Sequence, residues 1–408
     1  MKSTVLRNAS SLYLVKFSGY LIPLITLPYL TRVLGPEYFG YSALAMAIAH
    51  YFVIFSNYGF DLTATARIAK VNGRRKQISN VFWHVIFIKI VIFLFGLTIV
   101  LFAMHFLPLD EVLKHCLLPA YFLVLGTCIF PQWLFQGMQR LSSVSIVSTL
   151  IRLTSVPIIL LIVENQSDVY KYLWINSATN IAIGLFSLFM IYKFKWVSVV
   201  RINYSYTKGL LSNGWHVFVS ILATTLYTSS VPVILGIFVG PASVGVFASA
   251  NKLTQMAQSI YQPLSAAIYP KIVSTLSLGK EPVFSLAKKL ILFQIVSGGA
   301  IFIIFFFFSE SIISIVFGSE YSASVKVLEI IAITPLLIGL SNILGVQLLL
   351  PLGFRKQFSQ VIVVSGIVGL MASIVGSVYF AEIGAAIAVT MTELLVLLLM
   401  VYKFKRLT

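Results

Sequence analysis

The chain has 408 residues, of which 59% are hydrophobic and 10% are charged, and its net charge is +17. A soluble domain carries about 25% charged residues, so this chain cannot cover itself with a hydrated surface, and a soluble globular fold is excluded. The composition indicates an integral membrane protein.

Apolar segments of about 20 residues, long enough to cross a hydrocarbon core of about 30 Å, follow one another along the chain. Proline within such a segment is compatible with a helix, because neighbouring helices in a bundle can satisfy the freed carbonyl group. The alternating pattern of a transmembrane barrel is not visible. The sequence predicts an all-α integral membrane protein with about twelve transmembrane helices, at residues 10–32, 40–60, 81–104, 116–138, 142–163, 171–192, 213–238, 244–268, 286–308, 327–350, 358–380 and 384–402.

The basic residues fall mainly in alternate connections between these predicted helices. Only Arg32, Lys114, Lys171 and Lys326 lie in the other set of connections, where acidic residues predominate. The positive-inside rule therefore places both termini in the cytoplasm. Topology and anionic lipid head groups account for the positive charge, so we expect membrane lipids and no nucleic acid as partners.

A short internal repeat divides the chain. Residues 34–45 and 239–250 share identical residues at a constant offset of 205, at the turn between the first two helices of each half. The shared positions are Gly35/Gly240, Pro36/Pro241, Gly40/Gly245, Ala43/Ala248 and Ala45/Ala250. Gly-Pro turns are common, so chance similarity is the alternative. Because six helices separate the copies, the two halves would insert with the same orientation. We predict two parallel six-helix lobes, residues 1–205 and 206–408, around a central cavity.

Ionisable residues inside the predicted helices mark candidate sites, because each costs roughly 2.5–3.5 kcal/mol to insert. The cationic candidates are Lys16, Lys89, Arg152 and Lys252. Lys252 lies in a polar stripe on one helix face with Asn251, Gln255, Ser259 and Gln262. Snorkelling of the long side chain to the interface, or a structural ion pair, is the alternative for each. We predict that Lys16, Lys89, Arg152, Lys252 and Gln255 bind substrate.

Acidic residues are scarce in the predicted helices. Glu393 lies near the middle of the last helix and Asp61 at the cytoplasmic end of the second. Either carboxyl group is a candidate for ion coupling, and pairing with a cationic side chain is the alternative for Glu393.

Motifs for catalysis are missing from the sequence. It has no Walker A loop, no Gly-x-Ser-x-Gly, no His-Glu-x-x-His and no paired carboxylates on one helix face. We therefore expect a transporter and not an enzyme, with no catalytic residues, metal or cofactor. A cavity rich in lysine and arginine would bind a multiply charged anion, above all phosphate.

Four segments resemble the Wzx-type O-antigen flippases, which belong to the polysaccharide transporter branch of the multidrug/oligosaccharidyl-lipid/polysaccharide (MOP) exporter superfamily. They are Lys-Ser-Thr-Val-Leu-Arg-Asn-Ala-Ser at residues 2–10, Leu-Pro-Tyr-Leu-Thr-Arg-Val-Leu-Gly-Pro-Glu-Tyr-Phe-Gly at 27–40, Pro-Gln-Trp-Leu-Phe-Gln-Gly at 131–137 and Phe-Gly-Ser-Glu-Tyr at 317–321. The resemblance extends over essentially the whole chain. Individual cavity residues of the family lie in no tight motif, so none can be transferred.

The resemblance implies a bacterial inner-membrane flippase of six plus six helices. It implies alternating access, coupling to an ion gradient, and translocation of an undecaprenyl-diphosphate-linked oligosaccharide from the cytoplasmic to the periplasmic leaflet. Other polysaccharide assembly proteins are further expected partners. The alternatives are a cation-coupled multidrug antiporter of the same superfamily and a membrane glycan polymerase or glycosyltransferase. The antiporter would need more acidic residues, and the enzymes a larger extracytoplasmic loop.

Overall fold

The structure is a computed structural model that describes the backbone of residues 2–71, 74–276 and 279–407. Side chains are described at these positions except 2–21, 23–24, 141–143, 220, 223–224, 226–228, 260, 262–264, 266–267, 270–271 and 280. The described backbone is helical apart from short connections. Its α-helices are α1 Lys2–Asn57, α2 Phe60–Lys70, α3 Arg75–Phe106, α4 Glu111–Ile129, α5 Gln132–Gly137, α6 Leu141–Ile162, α7 Val169–Lys193, α8 Tyr204–Thr228, α9 Val231–Phe238, α10 Pro241–Thr275, α11 Lys280–Phe307, α12 Ser309–Val316, α13 Ala323–Ile331, α14 Thr334–Asn342 and α15 Arg355–Leu407, with a π-helix at Ile343–Leu349 between the last two.

Each of the twelve predicted membrane spans coincides with helical backbone, which confirms the all-α fold. Two neighbouring spans are joined within α1 and two within α15, where non-helical dihedral angles at Gly35 and at Phe380 and Ala381 divide the helix. The seventh and tenth spans, predicted as one helix each over 213–238 and 327–350, divide between α8 and α9 and between α13 and α14. The fourth span also differs from the prediction of one helix over 116–138. It breaks between α4 and α5, where Pro131 cannot donate the backbone hydrogen bond that would continue the helix.

The surface of these helices is that of a membrane protein. Among the described residues, eight helices are long and apolar enough to cross a bilayer. Large apolar side chains are exposed along them, for example Phe95 and Phe102 of α3 and Leu292 and Val296 of α11. A soluble protein rarely exposes so much contiguous apolar surface, so these faces are in contact with lipid.

The chain divides into two compact units. Unit 1 comprises Met1–Leu34 and Tyr41–Leu222. Its core surrounds α5, whose Trp133, Leu134 and Phe135 are fully buried against α2 and α3. Helices α4 and α7 approach closely in this unit, because neither Gly126 nor Gly184 has a side chain at the crossing. The resemblance motif at 131–137 is thus a structural centre of unit 1.

Unit 2 comprises Gly35–Gly40 and Ala223–Thr408. Its apolar core joins α10, α11, the π-helix and α15 through residues such as Ile272, Val283, Leu348 and Met400. The polar side chains described below lie beside this core, on α10, α14 and α15.

The two copies of the sequence repeat touch each other within unit 2. Gly35 and Gly240 both adopt a positive φ, 66° and 132°, at the start of the helix that follows each turn. A Cβ on Gly40 would overlap the carbonyl oxygen of Pro241, and a Cβ on Gly245 would overlap that of Pro36. This contact is reciprocal, as expected for two copies of one turn. The lobe boundary at 205/206 stays a prediction.

Candidate functional site

A polar cavity of about 140 Å³ in unit 2 contains two of the predicted site residues, Gln255 and Glu393. Three helices form its wall: α10, α14 and α15. Polar residues on α10 recur every three or four positions, which brings them to one face of the helix. The lining residues are Asn251, Gln255, Gln258, Thr334, Ile338, Ser373, Val389, Thr392 and Glu393.

Glu393 is the acidic residue of this cavity. In the described part of the chain its carboxyl group has neither a hydrogen-bond nor an ion-pair partner, so the predicted alternative of a structural ion pair is not seen there. The hydroxyl of neighbouring Thr392 donates to the carbonyl oxygen of Ala388 at 2.7 Å and leaves the carboxyl group free. A half-buried carboxyl group among neutral polar side chains can exchange a proton or bind a small cation.

Lys252 is half-buried one residue after Asn251, but it is not among the residues that line this cavity. No partner of its ammonium group lies among the residues whose side chains are described. Of the rest of the predicted stripe, Ser259 donates to the carbonyl oxygen of Met256, and the side chain of Gln262 lies outside the described residues.

Lys89 of α3 is enclosed in unit 1, with 1% of its surface exposed. Its Nζ donates to Oδ1 of Asn57, the last residue of α1, at 2.7 Å. Asp61, the other acidic candidate, lies exposed in the first turn of α2 and forms no ion pair with Lys89. In this conformation Lys89 therefore connects α3 to the end of α1 and offers no open surface to a ligand.

Arg152 lies on the buried side of α6. Ser145, Ser148 and Ser155 share its face within roughly 80°, by the 100° rotation per residue of an α-helix. All three serines are buried, and the hydroxyl of Ser148 has no hydrogen-bond partner. The guanidinium group likewise has none among the described side chains. This polar face, with an unpaired cation, suits an anionic ligand.

Ion pairs in the described residues do not involve these candidates. There are three, Lys114–Glu111, Lys171–Asp168 and Lys326–Glu329, and each joins residues three apart near the start of a helix. The predicted site residue Lys16 has its side chain outside the described residues, so its surroundings are not part of the site. Of the predicted site residues, the structure places Gln255 with Glu393 in one cavity.

The sequence profile of the family described as "Polysaccharide biosynthesis protein" matches residues 5–276. The chain belongs to this family. It is 36% identical over 401 residues, 98% of the chain, to a protein of Escherichia coli (strain K12) named "Putative O-antigen transporter", and the match covers 96% of that protein. A protein of Shigella dysenteriae with the same name is 27% identical, with 98% of this chain and all of that protein covered.

Solved structures share the fold of this polysaccharide biosynthesis family member. An inward-facing multidrug resistance MATE family transporter of the MOP superfamily superposes with a TM-score of 0.76 at 13% identity, over 96% of this chain and 98% of that one. The lipid II flippase MurJ, in an inward closed conformation, gives 0.73 at 12% identity, over 98% and 87%. The membrane-transporter fold predicted from the sequence is confirmed.

A second cavity of about 160 Å³ in unit 2 was not predicted. Its wall includes Gln294, Asn342 and Gln347, which are not among the predicted site residues. Gln258 and Ile338 line both cavities. The polar residues of α10 that line these cavities follow a pattern visible in the sequence. Asn251, Gln255, Gln258, Gln262 and Ser265 are three or four positions apart.

Proposed function

We propose that this membrane protein is a flippase for undecaprenyl-diphosphate-linked O-antigen or polysaccharide repeat units. It moves them from the cytoplasmic to the periplasmic leaflet of the bacterial inner membrane by alternating access, coupled to an ion gradient, with both termini in the cytoplasm. The names of the two bacterial relatives and the shared fold with a lipid II flippase support a transporter of this class.

The observation that carries the proposal is the unpaired positive charge inside the helices. Arg152 and Lys252 are half-buried, and no carboxylate within the described residues neutralises them. A diphosphate would give a cation of this kind charge-assisted hydrogen bonds in a medium of low dielectric constant, where such bonds are about twice as strong as neutral ones. Arg152 in unit 1 and Lys252 in unit 2 are each our candidates for a diphosphate ligand within their own unit, and Lys16 and Lys89 remain the further cationic candidates.

The rival proposal is a cation-coupled multidrug antiporter, which shares the fold. A binding site for organic cations needs carboxylates, and of the residues that line the two described cavities only Glu393 is acidic. The other alternative is a glycan polymerase or glycosyltransferase, and the names of the two bacterial relatives favour a transporter over it.

The test is translocation in proteoliposomes. A fluorescent undecaprenyl-diphosphate oligosaccharide is reconstituted with the protein, and its transfer between leaflets is followed by quenching from outside. Arg152→Gln and Lys252→Gln are each expected to slow transfer about tenfold or more, since a hydrogen bond to a charged group is worth about 1.5–3 kcal/mol. Arg152→Lys keeps the charge and should retain part of the activity.

The matched control is Lys326→Gln, which removes an exposed lysine that pairs with Glu329 and should leave the rate unchanged. Abundance in the membrane is measured for every variant. If both glutamine variants translocate the substrate at the wild-type rate, the proposal that Arg152 and Lys252 bind the diphosphate is wrong. Transport of a lipophilic cation in place of the lipid-linked oligosaccharide would establish the antiporter.

A further inference from the structure

The second cavity of unit 2, which we call the amide cavity, is formed by residues from α10, α11, α14 and the π-helix. It is lined by Gln258, Tyr261, Ser265, Ile268, Leu290, Phe293, Gln294, Pro335, Ile338, Gly339, Asn342, Ile343 and Gln347. None of these residues is charged. Four side-chain amides converge here from three membrane spans, where polar groups are expensive and usually functional.

The walls of the amide cavity are held by hydrogen bonds. Gln347 Nε2 donates to the carbonyl oxygen of Ser265 at 2.9 Å and to its Oγ at 2.6 Å, and Ser265 Oγ donates to Asn342 Oδ1 at 2.9 Å. Gln294 Nε2 donates to the carbonyl oxygen of Pro335 at 3.2 Å. Its amide occupies the space where a side chain on Gly339 would stand. The cavity is therefore a built feature and not a gap between loosely packed helices.

Two polar atoms on this wall lack a partner. Gln347 is 98% buried, with 2% of its surface exposed, yet its Oε1 accepts no hydrogen bond, and the hydroxyl of Tyr261 makes none. Leaving a buried polar group unsatisfied costs about 1–3 kcal/mol. Interhelical hydrogen bonding accounts for the amide nitrogen of Gln347 but not for its oxygen, which has no donor among the described residues.

The π-helix gives a separate indication of function. Leu350 donates its backbone N–H to Gly345 five residues earlier, at 3.1 Å, so this turn contains one residue more than an α-turn. Such π-helical turns are rare in proteins, and those that occur are often found at functional sites. Here the π-helix contains Gln347.

The chemistry of the wall defines the ligand. An acceptor at Gln347, a hydroxyl at Tyr261 and further amides match a molecule rich in hydroxyl groups, and the rings of Tyr261 and Phe293 can cover its apolar faces. The absence of charge on this wall disfavours an ion. The volume of about 160 Å³ is close to that of an engineered cavity of about 150 Å³ that binds benzene, so the space is of the size of one six-membered ring.

We propose that the amide cavity binds one neutral sugar residue. This inference rests on the proposed function in that the sugar belongs to the lipid-linked oligosaccharide during transport. Gln258 lines both cavities, so a sugar in the amide cavity would be separated from the cavity of Glu393 by the side chain of Gln258.

Binding is tested directly on purified protein by saturation-transfer NMR with free neutral hexoses and N-acetylhexosamines, and with glucuronate as the charged analogue. We expect neutral sugars to bind and glucuronate to bind less. Tyr261→Phe, which removes one hydroxyl, and Gln347→Leu should each weaken binding about tenfold, the loss expected for one hydrogen bond to a buried group. Tyr269→Phe on the same helix, outside the cavity, is the matched control and should bind as the wild type does.

A translocation measurement distinguishes a site for the sugar of the lipid-linked substrate from a site for free sugar. If the site serves the lipid-linked substrate, Tyr261→Phe and Gln347→Leu slow translocation while Tyr269→Phe does not. Failure of the wild type to flip any lipid-linked oligosaccharide would overturn the proposed function but leave the binding result standing. Absence of sugar binding in the wild type, binding unchanged in both cavity variants, or equal binding of glucuronate would each overturn the sugar site, and a cavity filled by water alone gives the first of these results.

Discussion

Lys89 illustrates how burial changes the meaning of a charged residue in a membrane span. From its position alone, substrate binding and a structural role are equally reasonable. The structure encloses it almost completely and gives its ammonium group one described hydrogen bond, to Asn57. A buried charge that depends on one partner is sensitive to the loss of that partner.

Asn57→Ala should therefore destabilise unit 1 by about 1–3 kcal/mol, because the buried ammonium group loses its acceptor. The measurement is the thermal unfolding temperature in detergent. Adding Lys89→Met to the variant removes the orphaned charge and should recover most of the loss, since replacing both partners with apolar groups is nearly neutral. An Asn57→Ala protein as stable as the wild type would show that the hydrogen bond contributes nothing.

The individual site residues stay predictions, and they came from polarity that follows helical spacing or from single charges in apolar helices. Gln255 and Glu393, which the sequence put in different roles, line one cavity, and Lys252 lies outside its lining. Gln294 and Gln347 were not predicted as site residues, because an isolated glutamine in an apolar helix shows no periodic pattern. Their importance comes from neighbours distant in sequence, Pro335 and Ser265, that only the folded chain brings near.

At the scale of elements, hydrophobic length predicted the membrane spans well because the bilayer fixes the length of a helix. Helix breaks were less predictable. The break before α5 has a local cause in Pro131, and the π-helix at Ile343–Leu349 ends two residues before Pro351, whereas the division at Phe380 and Ala381 of α15 has no proline at the site. Such irregularities depend on packing, which local sequence does not encode.

Gly245→Ala tests the contact between the two Gly-Pro turns. The added Cβ would overlap the carbonyl oxygen of Pro36, a backbone atom that cannot move without shifting its helix. Overpacking of this kind costs about 1–3 kcal/mol, so the unfolding temperature in detergent should fall.

The control is Gly299→Ala in α11, where a Cβ would meet no atom within 4 Å. Alanine favours a helix by about 1 kcal/mol over glycine, so this variant should be as stable as the wild type or more so. Equal stability of the two alanine variants would contradict the close contact at Gly245.

For the whole molecule, the net charge of +17 comes from basic residues outside the predicted membrane spans and from a few basic residues within them. Most basic residues lie outside the predicted spans, where the positive-inside rule relates them to orientation in the membrane. Of the cations within spans, Lys89, Arg152 and Lys252 have no ion-pair partner among the described residues, and Glu393 lines a polar cavity of unit 2. Under the proposed function, Glu393 is the candidate group through which an ion gradient drives transport.

Glu393→Gln is accordingly expected to abolish the dependence of flipping on an imposed gradient. Translocation is measured in proteoliposomes with proton and sodium gradients present and after ionophores collapse them. The wild type should slow when the gradients collapse, and the variant should be slow in both conditions. Glu310→Gln, an exposed acidic residue of α12, serves as the control. Wild-type flipping that is insensitive to both gradients would eliminate coupling through Glu393.

The reciprocal contact at Gly40 and Gly245 also bears on how this gene could have evolved. Each glycine leaves space for the backbone of the other turn, so a larger residue at either position cannot be offset by a smaller one at its counterpart. A gene duplication supplies both glycines at once, because the second copy inherits the same turn. The contact would then have existed in the first duplicated ancestor, and purifying selection would have acted on the two codons together from that moment.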